Sequence, residues 1–495
     1  MTSLSTLFSL ACIALYLSAR NKSLRLGFSW RIGALFIASV ISLLLALYSK
    51  ENAILIPLII LLIELCLYPN EKPWVFFKTI SKHQQMIFGF ILFILCFFFL
   101  LYALNYASGG FSSRPFTMLE RVLTESRVLC FYISLILIPR INGFGLFHDD
   151  IALSTSLISP WTTIASIIFI LGLLATAFYY RKKNPLFALG VGWFFIGHLL
   201  ESTFFSLEIA HEHRNNLPSL GIILAAFSLI PPHKLNSNKV IASIIFIAII
   251  LGSTTWLRSK QWADFKTLAY YEAKHHPNSP AIQALLSNAA NQAGDLDVAT
   301  EAIRKAMTLD PNETAYAMHY QNILAIHGEP IPEKLQKETL KRIKANRLTP
   351  STQLALDLIA GCLEKEPCAP LKQNYLEWIS TVIEKAPNTA VYWYMRGKAY
   401  RALNDNLAAI NDFQKAYDIS DGFVHPLFEM VDILLRMGQI PQAEEIIKWI
   451  EKANGKNTFK RDGEVEQLKR LVETIKESQE KKSRGANQEI SELDF

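Results

Sequence analysis

Cysteine is scarce in this chain, with six in 495 residues. Cys12, Cys66, Cys96 and Cys130 fall inside apolar segments and read as small buried hydrophobes. Only Cys362 and Cys368 lie in polar sequence, and without a second pair they match no zinc framework. In an oxidising compartment that pair closes a small disulfide loop; two free thiols are the alternative. Charge of one sign is also thin. The net charge of +6 excludes a nucleic-acid reading, because the basic residues sit in short loops between apolar runs. Residues 1–5 (MTSLS) do not read as a secretory leader, since they have no basic n-region and no small-residue cleavage site closes the apolar stretch that follows. Finally, long apolar runs are missing beyond about residue 257.

What is present divides at that point. The chain is 51 % apolar, with a mean hydropathy of +0.22, and nearly all the greasy sequence lies in 1–257. Runs near 4–19, 32–49, 53–69, 86–105, 160–180, 186–203, 217–231 and 240–257 approach the ~17–25 residues that cross hydrocarbon. They predict about eight spans. Arg20, Lys22, Arg25 and Arg31, then Lys72, Lys78 and Lys82, then Arg181, Lys182 and Lys183, then Lys234 and Lys239 mark four cytoplasmic loops. Loops 49–52, 106–159 and 204–216, and everything after about 258, then face outward. The same alternation starts Met1 outside and predicts a further span upstream. Segment 122–139 is long enough to span, yet both its flanks are assigned outside, and Glu125 and Arg127 are costly in hydrocarbon. It reads as a helix lying in the outer interface or re-entering. A ninth span, with reversed topology for the front half, is the rival.

The C-terminal part repeats itself at about 34 residues. Trp393, Gly397, Tyr400, Ala409, Phe413 and Ala416 recur as Leu427, Val431, Leu434, Ala443, Ile447 and Ile450. The stretch 280–313 carries the same frame at Ala299, Ile303, Ala306 and Pro311. Paired helices with small residues at their crossing and Pro at the turn form the tetratricopeptide pattern. The signature fades over 314–388, where helical periodicity persists at 335–343 and 354–363 and a longer connection is predicted near 328–332. Stacked repeats form a curved surface with a concave face for an extended peptide or partner. No residue within them suggests chemistry. The fold class is therefore all-α: a polytopic body (1–257) with an interfacial helix, a repeat solenoid (258–477), and an apolar-poor tail (478–495) predicted to be disordered.

Two loops concentrate polar groups. In 142–150 (NGFGLFHDD), His148 precedes Asp149 and Asp150, a set that can bind a divalent cation through oxygen or position a general base. A solvated loop with a capping Asp is the plain alternative. In 201–218, Glu201, Glu208, His211, Glu212, His213, Arg214 and Asn215 crowd the end of a predicted span. Arg214 with the two histidines could clamp a phosphate, while a Glu accepts a proton. An interfacial belt with an internal ion pair is the bland counterpart. His211 and His213 could ligate a metal, but that spacing alone assigns no metal site. Lys50 and Glu51 read as a salt-bridged turn. Arg114, Arg121 and Arg127, with Glu120 and Glu125, could hold the phosphates of a lipid-linked substrate or simply anchor at headgroups.

The order of these features resembles one family. "SKEN" at 49–52, "RPFTMLERVLTESRVLCFYISLILIPRINGFGLFHDD" at 114–150, and "ESTFFSLEIAHEHRNNLPSLG" at 201–221, followed by tetratricopeptide repeats, are similar to bacterial relatives of the transmembrane-and-tetratricopeptide O-mannosyltransferases, of the GT-C class. The most specific part is the E-x6-E-x3-E-H-R-N-x-L-P-S block from Glu201 to Ser219. The resemblance implies transfer of a sugar from a polyprenyl-phosphate donor to a protein acceptor recruited by the repeats. The place implied is the periplasmic face of a bacterial inner membrane. Read beside it, the polar loops and the interfacial arginines make His148, Glu201, His211, Glu212, His213, Arg214, Asn215, Arg121 and Arg127 the candidate substrate contacts. It also implies a catalytic acid in a first outer loop, which would fall upstream of Met1. Within the chain, Asp149, Asp150 and Glu208 are the acids left as candidates, and a divalent metal stays open as cofactor. Two other classes compete: a non-enzymatic membrane-anchored scaffold, and a polysaccharide polymerase or ligase.

Overall fold

The computed structural model describes residues 1–27, 29–69, 109–234, 237–420, 422–456 and 460–492. Among them every regular element is helical and no strand occurs. The chain divides into two compact units, 1–289 and 290–495. The division falls within the helix Pro280–Gln292, later than the change in hydropathy near 257. The apolar run 86–105, Cys96, and Lys72, Lys78 and Lys82 lie outside the described residues.

Among the described residues of the first unit, four helices are long and apolar enough to cross a membrane by length and composition: Thr2–Leu26, Trp30–Ser49, Thr162–Tyr180 and Asn238–Gln261. The runs expected as spans at 53–69, 186–203 and 217–231 form shorter helices, Ile56–Leu67, Pro185–Gly197 and Ser219–Ser228, of 12, 13 and 10 residues. Local chemistry sets those limits. Pro57 follows a 3-10 turn at Glu51–Leu55, and Asn184 caps a helix that starts on Pro185. Gly190 and Gly221 let two of these helices cross closely, since a Cβ on either would lie 2.4 Å from the other's carbonyl oxygen.

Two basic residues occupy places other than their expected ones. Arg20 lies inside the first helix, paired with buried Glu64 at 3.0 Å, and Tyr16 donates to the same carboxylate at 2.8 Å. Lys50 pairs with Glu201 at 3.1 Å rather than with its neighbour Glu51, because the 3-10 turn carries Glu51 to the exposed side.

Segment 122–139 belongs to the helix Met118–Leu137, which starts at a capping box between Thr117 and Glu120. Its Arg121, Glu125 and Tyr132 are buried in protein. Val128, Ile133, Phe194, Ile209 and Ile222 form the core beneath them. The expectation that Arg121 and Glu125 meet headgroups therefore fails, since burial against the loop 201–210 satisfies their polarity instead.

The second unit stacks helix pairs. Ala409, Phe413, Ala416, Leu427, Val431, Leu434, Ala443, Ile447 and Ile450 are all buried, as the repeat frame requires. A Cβ on Gly397 would lie 2.5 Å from the Phe413 ring, so the crossing of Ala390–Ala402 with Asn406–Ile419 needs glycine there. In the faded stretch the helices Ala315–Ile326, Glu333–Ala345, Pro350–Ala360 and Lys372–Lys385 continue the pairing. Its longest connection is 361–371, not 328–332, and Cys362 and Cys368 form a disulfide there with Cα atoms 5.7 Å apart. The helix Asp462–Glu492 extends into the tail that composition marked as disordered. Glu, Lys and Gln are good helix formers, so scarcity of apolar residues removes packing but not helix propensity.

Candidate functional site

Two buried arginines shape the polar loops of the first unit. Arg121, 0 % exposed, donates to the carbonyl oxygens of Glu201 (2.6 Å), Leu207 (2.6 Å), Glu208 (2.8 Å) and Thr203 (3.2 Å). It also pairs with Glu125 at 2.9 Å, one helical turn on. Burial pushes the Glu125 carboxyl up to about 7, against the pull of Arg121 and Arg214. Arg214, likewise buried, donates to the carbonyls of Glu208 (2.9 Å) and Ile209 (3.3 Å). The Arg121 guanidinium is taken up by loop backbone and Glu125 rather than facing a phosphate, while Arg214 donates to loop backbone through Nη1 and has Nη2 3.8 Å from the Glu208 carboxylate. Arg127 donates to the Ala152 carbonyl at 2.5 Å, tying the helix Met118–Leu137 to the loop that follows His148. Glu208 is held by Arg114 at 3.0 Å and keeps a half-exposed carboxylate. Glu201 is buried and bound to Lys50, so it too serves to join elements.

A second constellation lies at loop 144–150. His148 is buried, with Nε2 2.7 Å from Glu212 Oε1, and the same carboxylate oxygen accepts the Gly145 N–H at 2.8 Å. Burial works against the charged Glu212, but the His148 and Gly145 contacts outweigh it and hold its pKa low. Asp150 lies 3.0 Å from His276 Nδ1, and that hydrogen bond holds the Asp150 carboxyl below its ordinary value. The His148 and His276 rings meet edge to face, 5.6 Å apart. One ligand-capable atom each from His148, Asp150 and His276 falls within 4.8 Å of the others. Nearby, fully buried Glu272 accepts the Leu146 N–H at 2.9 Å and pairs with Arg258 at 2.8 Å.

Asp149 does a different job from its neighbour. It accepts from the Ser279 hydroxyl and from the Ala281 N–H at 2.9 Å, in the first turn of Pro280–Gln292. Those contacts serve the start of that helix, as a capping carboxylate does.

Beside this constellation lies a cavity of about 660 Å³, within the range of small-molecule pockets. Its lining mixes apolar Leu135, Ile136, Ile141, Ile223 and Leu251 with polar Glu212, Asn215, Ser219, Arg258 and Ser259. Of the predicted site residues, Glu212 and Asn215 reach this cavity, and His148 touches it through Glu212. His211 and His213 stack near each other at 5.2 Å, away from that lining. Sequence reasoning missed His276, Glu272 and Arg258. They follow the last apolar run and look like linker, and the hydrogen bonds that bring His276 and Glu272 home span 126 positions.

A family model for the tetratricopeptide repeat matches residues 281–313 and 390–422. The chain is thus an all-helical protein carrying tetratricopeptide repeats, a class that presents surfaces to other proteins. No curated protein matches it. Solved structures similar to it include MamA from Desulfovibrio magneticus RS-1, 18 % identical over 42 % of this chain and 96 % of that one, with a TM-score of 0.25. Yeast Tom70 is 12 % identical over 95 % of this chain and 96 % of its own, with a TM-score of 0.32. The TPR2AB domain of yeast Sti1, solved with pHSP90, is 15 % identical over 62 % of this chain and 96 % of its own, at 0.20. The repeat assignment rests on the family model and on the helix packing.

Proposed function

We propose that the chain is the body and recruiting arm of a membrane glycosyltransferase, taking a sugar from a polyprenyl-phosphate donor and delivering it to a polypeptide held by the repeats. Its place would be the periplasmic face of a bacterial inner membrane. The observation that carries this reading is the cavity of about 660 Å³ lined by both apolar and polar side chains. An isoprenoid chain suits the apolar part of that lining; a sugar phosphate suits Asn215, Ser219, Arg258 and Ser259. Glu212 is the carboxylate that reaches the cavity, placed to take a proton from an acceptor hydroxyl. The apolar side chains exposed along Asn238–Gln261, such as Ile245, Phe246 and Ile249, suit a lipid surround.

Native mass spectrometry of the full chain, purified from its membranes in mild detergent, tests donor binding. Ile223→Trp fills part of the cavity, and Ser259→Asp opposes a phosphate within it. Wild type should carry a polyprenyl-phosphate adduct, and each variant should lose at least ten-fold of it, as expected when about 1.4 kcal/mol is removed. Equal occupancy in all three proteins would end the donor-site assignment. A second reading, a membrane-anchored scaffold, is favoured by the two matched repeats. It predicts that Glu212→Gln leaves function intact while substitutions on the concave repeat face do not.

A further inference from the structure

We propose that the exposed face of the helix Glu333–Ala345 is a docking surface for anionic lipid headgroups, which lays the repeat unit against a bilayer surface. The sequence puts Lys334, Lys337, Lys341 and Lys344 within an arc of about 80°, at the ~100° per residue of a helix. They are spread over about 15 Å of helix axis, and all four are exposed. Leu335, Thr339 and Ile343 are buried on the opposite side. There Gln321 donates to the Thr339 hydroxyl at 2.6 Å, and Ile343 packs in the core with Trp378 and Ile379. That packing sets the helix's rotation and keeps the lysine stripe pointing outward.

A merely solvated helix face ordinarily mixes both signs, since lysine and glutamate one turn apart attract. The helix Asp462–Glu492 does so, with Glu464, Glu466, Lys469, Arg470, Glu473 and Lys476 interleaved. Glu333–Ala345 does not. No acid falls inside the lysine arc, and its two acids, Glu333 and Glu338, flank it. Glu338 is taken up by Arg342 at 2.7 Å. Glu333 lies 2.6 Å from Lys337, but the two side chains are 77 % and 76 % exposed, and a pair so exposed holds weakly. The positive sign is local as well, because the rest of 290–495 holds more acidic than basic residues. Lysine is a flexible point charge that meets phosphates without a fixed geometry, so a concentrated stripe of it fits an extended negative surface. A bilayer and an acidic polypeptide both offer one, and connectivity favours the bilayer. The candidate span Asn238–Gln261 precedes the repeats in the same chain, and a tether of that kind holds them near a membrane at high effective concentration. The inference rests on that membrane reading and not on sugar transfer.

The test is lysine footprinting of the full chain in nanodiscs, comparing phosphatidylcholine alone with a mixture containing phosphatidylglycerol. Acetylation of Lys334, Lys337, Lys341 and Lys344 should slow by about three-fold or more in the anionic discs. Lys415 and Lys448, also exposed, should label equally in both. Protection should vanish at ~1 M salt, where charges are screened beyond about 3 Å. Lys337→Glu combined with Lys341→Glu should restore labelling of Lys334 and Lys344 in anionic discs. Circular dichroism should not change, because both substituted positions face solvent. A chain that fails to enter nanodiscs at all would refute the membrane reading, and the proposal with it. Insertion with equal labelling of the stripe in both lipids overturns the proposal alone, and protection by added polyglutamate instead would assign the stripe to an acidic polypeptide.

Discussion

Arg121 shows how a charge that looks like a ligand group can be an internal fastener. Its donors reach four backbone carbonyls of 201–208, a loop that has no regular structure to satisfy them otherwise. Removing it would leave Glu125 without its ion pair and the Glu201, Thr203 and Leu207 carbonyls without this donor. Arg121→Ala should therefore cost about 3–5 kcal/mol, read as a loss of unfolding free energy of the detergent-solubilised chain. A loss below about 1 kcal/mol would show that the loop holds itself. At this scale the sequence was a fair guide to which residues matter and a poor guide to why. Glu125 stood out as a charge in an apolar run, Arg121 as one of an arginine set, and Glu201 and Arg214 as members of a crowded polar loop. Whether such a charge faces a ligand or a carbonyl depends on tertiary placement, which no local pattern encodes. His276 was invisible for the opposite reason, since it is unremarkable until the fold sets Asp150 beside it.

Among the elements, the repeats were the most legible part of the chain. Their packing needs small residues at fixed positions, and a need of that kind is written locally. Gly397 carries the sharpest form of it, with the Phe413 ring where a Cβ would be. Gly397→Ala should destabilise the second unit by about 1–3 kcal/mol through overpacking, seen as a lower denaturation midpoint, whereas Gly455→Ala, with open space around it, should be near neutral. Equal effects at both positions would contradict that packing. Span prediction was less faithful. Hydropathy marked 186–203 and 217–231 as full spans, yet their helices stop at Gly197 and Ser228. Apolar composition records burial in general, and these short helices bury themselves against protein as well as exposing apolar faces.

For the whole molecule, the account joins an apolar body with a cavity to an arm built for holding polypeptide. Each half has a plain use by itself, and the claim that unites them is sugar transfer to a protein. The most direct measurement is a glycopeptide survey of the source cell's periplasmic proteins, with the gene intact, deleted, and replaced by Glu212→Gln or Ser259→Asp. The account predicts that a defined set of glycopeptides disappears on deletion and falls at least ten-fold in both replacements at equal protein level. An unchanged set of glycopeptides in all four strains would contradict it and leave a repeat scaffold on a membrane anchor.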